Sequence, residues 1–169
     1  MALKLLTPTL AAALLVSSVA WAAPVTADLK NGAGDTIGAV TLTEAPKGVL
    51  LKVEAKGLTP GWHGLHFHEK GDCSKADFTS AGAHVHGDMA GMKAVHGLLN
   101  PAANETGDLP NLYVGADGAG AAEVFTSLTT LSALRDADGS AVVVHASPDD
   151  HMAQPIGGAG ARVACAVVK

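Results

Sequence analysis

The sequence predicts an all-β sandwich or barrel with two long functional loops. Short runs rich in Val, Thr, Leu and Ala recur along the chain, and Gly, Asp, Asn or Pro separates them. No long stretch has the 3.6-residue apolar period of an amphipathic helix. Short strands with turn signals at regular intervals are typical of antiparallel sandwiches and barrels.

The first 22 residues predict a secretory signal peptide. Lys4 precedes an apolar run at 10–16, and Ala20-Trp21-Ala22 fits a small-x-small cleavage site. The alternative, a membrane anchor, needs a longer apolar run. We therefore expect cleavage near Ala22 and an exported domain at 23–169, with the periplasm as its location.

The 147 residues after position 22 are enough for one domain with a real core. Removal of Lys4, with no acid beside it, changes the formal charge from −5 to −6. A mildly acidic chain without a long basic run is an unlikely partner for nucleic acid. We also expect no membrane association after signal removal, and the sequence leaves monomer and homodimer open.

The strands follow in order, each bounded by turn residues. They are expected at 25–30, 36–43, 49–55, along the histidine-rich stretch from Gly61, and at 113–116, 122–126, 141–146 and 161–168. The pattern stops at 71–112 and again at 147–160. Long structureless loops are uncommon in compact domains and are usually functional.

The stretch from Gly61 to Cys73 holds three histidines and a cysteine. Because side chains alternate along a strand, His66 and His68 share one face, and Leu65 and Phe67 share the other with His63. The two imidazoles would lie about 7 Å apart along the strand. They could begin a metal site or be solvated surface residues.

Six more residues of metal-binding interest accompany this pair. The other histidines are at 63, 84, 86, 96, 145 and 151, and the chain has few aromatic residues beside them. Neutral imidazole suits copper and zinc. Two cysteines, Cys73 and Cys165, suggest a disulfide in an exported protein, although two free buried thiols are the alternative. A bridge would leave no thiolate for a structural zinc finger.

Six ordered motifs resemble the copper–zinc superoxide dismutases, and in particular their exported bacterial branch. They are Gly64-Leu65-His66-Phe67-His68-Glu69-Lys70-Gly71-Asp72-Cys73, Ser80-Ala81-Gly82-Ala83-His84, His96-Gly97-Leu98-Leu99-Asn100-Pro101, Gly107-Asp108-Leu109-Pro110-Asn111-Leu112, Val142-Val143-Val144-His145 and Gly157-Gly158-Ala159-Gly160-Ala161-Arg162-Val163-Ala164-Cys165. The resemblance spans the whole chain after the signal.

The resemblance implies a Greek-key β-barrel with the metals between two long loops. It implies one copper ion per chain, held by His66, His68, His84 and His145. His84 would also face one zinc ion as a bridging imidazolate. Asp149 would link copper-side and zinc-side histidines, unless it is a surface acid. Arg162 would attract the anionic substrate, unless it is a solvated strand residue, and His63 would be structural.

The zinc site departs from the family pattern. His84, His96 and Asp108 match, but Glu105 stands where the family has another histidine. His86, where the family usually has asparagine, could supply the missing nitrogen. Zinc could therefore be held with Glu105, with His86, by three ligands plus water, or not at all. We expect a weakened site.

The implied reaction is dismutation of superoxide to dioxygen and hydrogen peroxide by a cycling copper ion, which would protect the cell envelope. His84 and Arg162 would act in catalysis. Because the net charge is negative, the rate would depend on local positive charge at the site. The alternatives are an exported copper carrier or store without turnover, and a degenerate member without metal. The four copper ligands and Arg162 favour the enzyme.

Overall fold

The computed structural model describes residues 22–87 and 91–169, so the predicted signal peptide lies outside the described residues except for Ala22. Nine strands form one antiparallel sheet in the order β4-β6-β7-β3-β2-β1-β9-β8-β5. The strands are β1 (Val25–Asn31), β2 (Thr36–Ala45), β3 (Gly48–Ala55), β4 (Gly61–His63), β5 (Leu65–His68), β6 (Leu112–Val114), β7 (Gly120–Thr126), β8 (Ser140–His145) and β9 (Arg162–Val168).

Helical structure in the described part of the chain is limited to two short turns. A 3-10 turn covers Thr79–Ala81, and one α-helical turn, α1, covers Leu131–Leu134. Thr130 caps α1, since its hydroxyl accepts a hydrogen bond from the Ala133 N–H at 3.2 Å. The all-β prediction is confirmed. No helix among the described residues is long and apolar enough to cross a membrane.

The sheet closes into a barrel at Gly64. His63 pairs with Leu112 on β6, whereas Leu65 pairs with Val144 on β8. Gly64 between them donates its N–H to the Ser147 carbonyl at 2.8 Å. The single strand predicted for the histidine stretch is therefore two strands, which exchange partners at one residue. A glycine is required there, because a Cβ atom would lie 2.7 Å from the Cβ of Ala159.

Alternating side chains fill the barrel. On β3, Leu51 and Val53 are fully buried, while the alternate residues Lys52 and Glu54 are exposed. Strands β5 and β8 instead bury both faces. A strand covered on both sides has an uninterrupted apolar sequence, which explains the valine run of β8.

The outer faces of β5 and β8 lie beneath the two long loops. Leu65 and Phe67 point into the barrel core, and His66 and His68 on the opposite face are also fully buried. The first loop lies between β5 and β6, and the second between β8 and β9. They touch where the Leu99 N–H donates to the His151 carbonyl at 3.2 Å. The loops therefore enclose the histidine face of the barrel.

A disulfide fastens the first loop to the barrel. Cys73 is bonded to Cys165 on β9, with Cα atoms 5.9 Å apart. Cys165 packs with Phe78 and Ala81 of the loop and with Val143 of β8. This confirms the disulfide expected from the cysteine count.

Candidate metal centre

Four histidines direct nitrogen atoms to one buried point, which we call the copper group. His66, His68, His84 and His145 each offer one nitrogen, and these atoms lie within 4.8 Å of one another. His66 and His68 come from β5, and His145 ends β8. His84 reaches them from the first loop, where it forms an antiparallel bridge with His68.

Hydrogen bonds at the opposite ring nitrogens set the orientation of this group. Nδ1 of His68 donates to the Gly82 carbonyl at 3.0 Å, and Nδ1 of His145 to the Gly160 carbonyl at 3.1 Å. Nε2 of His66 donates to Asp149 at 2.7 Å. Partners of this kind fix the tautomer and orientation of metal-ligating histidines.

The nitrogens that face the centre have no ordinary partner. Nδ1 of His66 and Nε2 of His84 are buried without a hydrogen bond. Nε2 atoms of His68 and His145 lie 3.4 Å apart. A buried polar atom left unpaired costs about 1–3 kcal/mol. Four imidazole nitrogens around one point fit a copper ion, which accepts this ligand.

Burial also sets the charge of three of the four rings in the copper group. It lowers the pKa of His66 to about 4, that of His68 to about 2 and that of His145 to about 3. These rings are therefore neutral near pH 7. A neutral ring is the form that can donate a lone pair to a metal.

Two imidazoles and two carboxylates meet beside the copper group, and we call them the zinc group. Glu105 Oε2 lies 2.9 Å from Nδ1 of His84 and 3.1 Å from Nδ1 of His96. Asp108 Oδ1 lies 3.6 and 2.8 Å from the same two nitrogens. The other oxygen of Asp108 accepts the Gly97 N–H at 2.7 Å, which directs Oδ1 toward the histidines. This set of nitrogen and oxygen donors fits zinc.

His66 is also near enough to join the zinc group by distance alone. Its Nε2 is occupied by Asp149, and its free Nδ1 belongs to the copper group. Glu105, whose Oε2 lies close to Nδ1 of both His84 and His96, is therefore the candidate for the fourth place. The sequence had left this place open among Glu105, His86 and water.

His86 does not reach the zinc group. Its Nδ1 donates to the Gly87 carbonyl at 3.3 Å, and its Nε2 lies 3.7 Å from Glu69 on the exposed surface. The backbone of His84 forms an isolated β-bridge with that of His68, and the backbone of His86 forms one with that of Glu105. The backbones of the two histidines therefore pair with different residues.

The pKa values of the zinc-group histidines shift in the opposite direction to those of His66, His68 and His145. Burial opposes protonation of His96, but hydrogen bonds to Asp108, Asp149 and Glu105 outweigh it and raise its pKa to about 11. The pKa of His84 is raised in the same way, against burial, by Asp108 and Glu105. Burial would raise the pKa of Asp108, but hydrogen bonds from the two histidines lower it. Without a cation, the carboxylates of the zinc group therefore favour the protonated form of both histidines.

Asp149 contacts one histidine of each group. One oxygen lies 2.7 Å from Nε2 of His66, and the other lies 3.1 Å from Nε2 of His96. Its backbone is held by Asn111, which accepts the Asp149 N–H at 2.9 Å and donates to its carbonyl at 2.8 Å. The sequence did not single out Asn111, although it lies in one of the quoted motifs.

Arg162 is fixed beside the copper group. It is opposite His145 in the pairing of β8 with β9. Its guanidinium donates to the carbonyls of Phe78 and Gly82, both at 2.6 Å. The Gly82 carbonyl also accepts from His68. One loop carbonyl therefore positions both a copper-group ring and the neighbouring positive charge.

The remaining histidines have other surroundings. His63 is buried and makes hydrogen bonds with the carbonyls of His145 at 2.6 Å and Thr59 at 2.8 Å, which fits the structural role expected for it. His151 has Nε2 at 3.4 Å from the Asn111 amide and belongs to neither group.

Comparison with known proteins indicates the same family as the six ordered motifs. The family model for copper/zinc superoxide dismutase (SODC) matches residues 36–168. A Cu-Zn superoxide dismutase from Caulobacter vibrioides is 63% identical over 150 residues, which cover 85% of this chain and 84% of that protein. The chain is similar to the crystal structure of a SOD-like protein from Bacillus subtilis, with a TM-score of 0.72, 33% identity, and coverage of 85% of this chain and 97% of that one. It is also similar to the Cu/Zn superoxide dismutase from Brucella abortus, with a TM-score of 0.72, 29% identity and coverage of 87% and 100%.

Proposed function

Because this chain belongs to the copper/zinc superoxide dismutase family, we propose that its copper and zinc groups are the metal sites of that enzyme. The protein is a superoxide dismutase, which converts superoxide to dioxygen and hydrogen peroxide. The observation that carries the site assignment is the convergence of four buried histidine nitrogens, two of them unpartnered.

The copper group takes one copper ion through Nδ1 of His66 and Nε2 of His68, His84 and His145. Copper supplies the one-electron redox chemistry of the reaction, which zinc lacks. The protein holds three of these rings neutral by burial and aims them by hydrogen bonds to Gly82, Gly160 and Asp149. The ligand atoms are therefore placed before the ion arrives.

Arg162 and His84 serve the substrate. The whole chain carries a formal charge of −5, which repels an anion. Arg162 supplies a positive charge held by two carbonyls next to His145, and such local charge can focus an anionic substrate on a site. His84 faces both groups, and when its Nε2 is not bound to copper, that atom can hold one of the protons that peroxide formation consumes.

The zinc group takes one zinc ion through His84, His96, Asp108 and Glu105. The support is the short distances from Glu105 to both histidines, while His86 lies on the surface. Four protein ligands argue against the weakened site expected from the sequence. Loss of Glu105 removes a ligand and leaves two imidazoles with one carboxylate.

The zinc assignment is tested by metal content after mild chelation of wild type, Glu105→Ala and His86→Ala. We expect the Glu105 variant to lose zinc and the His86 variant to keep one ion per chain. Loss of an outer partner alone lowers metal affinity about 10–100-fold, and loss of a ligand should exceed that. Equal zinc content in both variants would show that Glu105 is not a ligand.

Copper content and superoxide turnover, measured on the same samples, test the enzyme site. We expect His145→Ala to lose both copper and activity. A wild-type protein with a full copper complement and no turnover would instead be a carrier or store. Rapid turnover in the variant would refute the ligand assignment.

We place this activity in the periplasm, where it protects the cell envelope from superoxide. The support is the apolar segment before Ala22 and its small-x-small site. N-terminal sequencing of the protein from a periplasmic extract should begin at Ala23. A mature protein that retains Met1 would contradict export by cleavage.

A further inference from the structure

The backbone of His96 is held by side chains of loop residues. His96 lies in the first loop, outside the strands, and is fully buried. Its N–H donates to Oε1 of Gln154 at 3.0 Å. Its carbonyl accepts from Nε2 of Gln154 at 2.8 Å and from the Asn100 amide at 3.2 Å. A buried N–H without a partner is costly, so Gln154 satisfies a real requirement.

The two bonds from Gln154 form a clamp with a defined direction. The amide group offers one acceptor and two donors, and His96 uses one of each. The second donor of Gln154 binds the Met152 carbonyl at 3.0 Å, within its own loop. This hydrogen bond within the second loop fixes the orientation of the Gln154 amide relative to His96.

The ring of His96 contacts carboxylates at both of its nitrogen atoms. Its Nδ1 lies 3.1 Å from Glu105 and 2.8 Å from Asp108 in the zinc group. Its Nε2 lies 3.1 Å from Asp149, which also binds His66 of the copper group. A shift of the His96 backbone would thus disturb the zinc group directly.

The clamp has a counterpart in the opposite direction. Asn111, at the end of the first loop, holds the backbone of Asp149 in the second loop with two hydrogen bonds. Gln154, in the second loop, holds the backbone of His96 in the first. Each loop therefore fixes the backbone of the other loop's residue, and the contact of Asp149 with His96 lies between the two clamps.

We propose that Gln154 is a positioning residue for the zinc ligand His96, acting through the His96 backbone. The inference rests on the proposed zinc site. Gln154 is itself exposed, so water can replace its amide in a truncated variant, and the protein should still fold. The effect is therefore expected at the metal and not in global stability.

The test compares zinc release from holoenzyme to a chelator in wild type, Gln154→Ala, Gln154→Glu and Met152→Ala. Loss of an outer partner usually lowers metal affinity about 10–100-fold, so we expect both Gln154 variants to release zinc faster by up to about that factor. Gln154→Glu is informative because it adds negative charge, which alone would favour zinc. Its carboxylate would face the carbonyls of His96 and Met152, so the clamp is lost and release should still accelerate.

Met152→Ala is the matched control, because its side chain is exposed and only its carbonyl meets Gln154. It should release zinc at the wild-type rate. Two further measurements separate positioning from a general structural role. The visible spectrum of Co(II) in the zinc site should change in both Gln154 variants, while the denaturation midpoint of the metal-free protein stays within error of wild type.

Zinc release at one common rate in all four proteins would overturn the role of Gln154 and leave the zinc site standing. Faster release with an unchanged Co(II) spectrum and a lower denaturation midpoint would also overturn it, as a general loss of stability. A wild-type protein that binds no zinc would refute the zinc site and this inference together.

Discussion

Removal of the disulfide should destabilise the protein substantially. We consider the Cys73→Ala/Cys165→Ala variant, in which alanine avoids placing a hydroxyl at the buried position 165. The bond closes a loop with a sequence separation of 92 residues. The chain-entropy relation for such a loop gives about 4.6 kcal/mol at 25 °C as the stabilisation that is lost. This is a large part of the roughly 5–15 kcal/mol that stabilises an ordinary domain.

The assay is urea unfolding of the metal-free proteins, because bound metal would add its own stabilisation. The free energy of unfolding of oxidised wild type is compared with that of the variant and of reduced wild type. The variant and the reduced wild type should lie close together and well below the oxidised protein. Reductant added to the variant should change nothing, which controls for effects of the reagent.

The same cross-link should affect the copper group. Cys73 begins the segment that carries the carbonyls of Phe78 and Gly82, which hold Arg162 and His68. Copper should therefore leave the variant faster than wild type during competition with a chelator. A loss of stability below about 1 kcal/mol with an unchanged denaturant slope would refute the entropic reasoning.

The charges and contacts of the site support three more predictions. Arg162→Ala should keep copper but lower the dismutation rate about tenfold or more. The rate should also depend less on ionic strength, because salt screens the steering of the substrate by charge. An unchanged salt dependence would exclude steering by this residue. His68→Ala should abolish dismutation, whereas His151→Ala, outside both groups, should leave it largely intact, and equal losses would refute the assignment. In the metal-free protein, the pKa of His96 is raised to about 11, so His96 carries a proton near pH 7 that zinc must displace, and the pKa of His84 is raised in the same direction. The apparent zinc affinity should therefore rise with pH in the neutral range, with proton release seen by calorimetry in two buffers of different ionisation enthalpy; a pH-independent affinity would contradict these charge states.

The strands were the most predictable part of the protein. Seven of the expected runs match observed strands with ends shifted by no more than two residues. Local sequence patterns are enough to predict these strands, because burial of alternate side chains gives the sequence an apolar period of two residues. The exception was the histidine stretch, where the break at Gly64 depends on two different neighbouring strands and on the Cβ of Ala159.

The sequence by itself determined the residues available for chemistry. The ordered motifs placed His66, His68, His84 and His145 in one proposed site, and the structure brings these side chains together. The alternation along β5 also separated His66 and His68 from the core-facing Leu65 and Phe67. These features follow from the residue order, since the motifs and the strand period are local properties of the chain.

Only the tertiary structure separates the side chains of Glu105 and His86 in space. His86 lies two residues after His84 and Glu105 lies 21 residues after it, and the sequence left both open as zinc ligands. The folded loop places Glu105 2.9 Å from His84 and leaves His86 beside Glu69 at the surface. The clamp of Gln154 on His96 could not be predicted from the sequence either, because it joins residues 58 positions apart in the chain. Loop backbones lack a repeating pattern, so the direction of their side chains is set by contacts that exist only after folding.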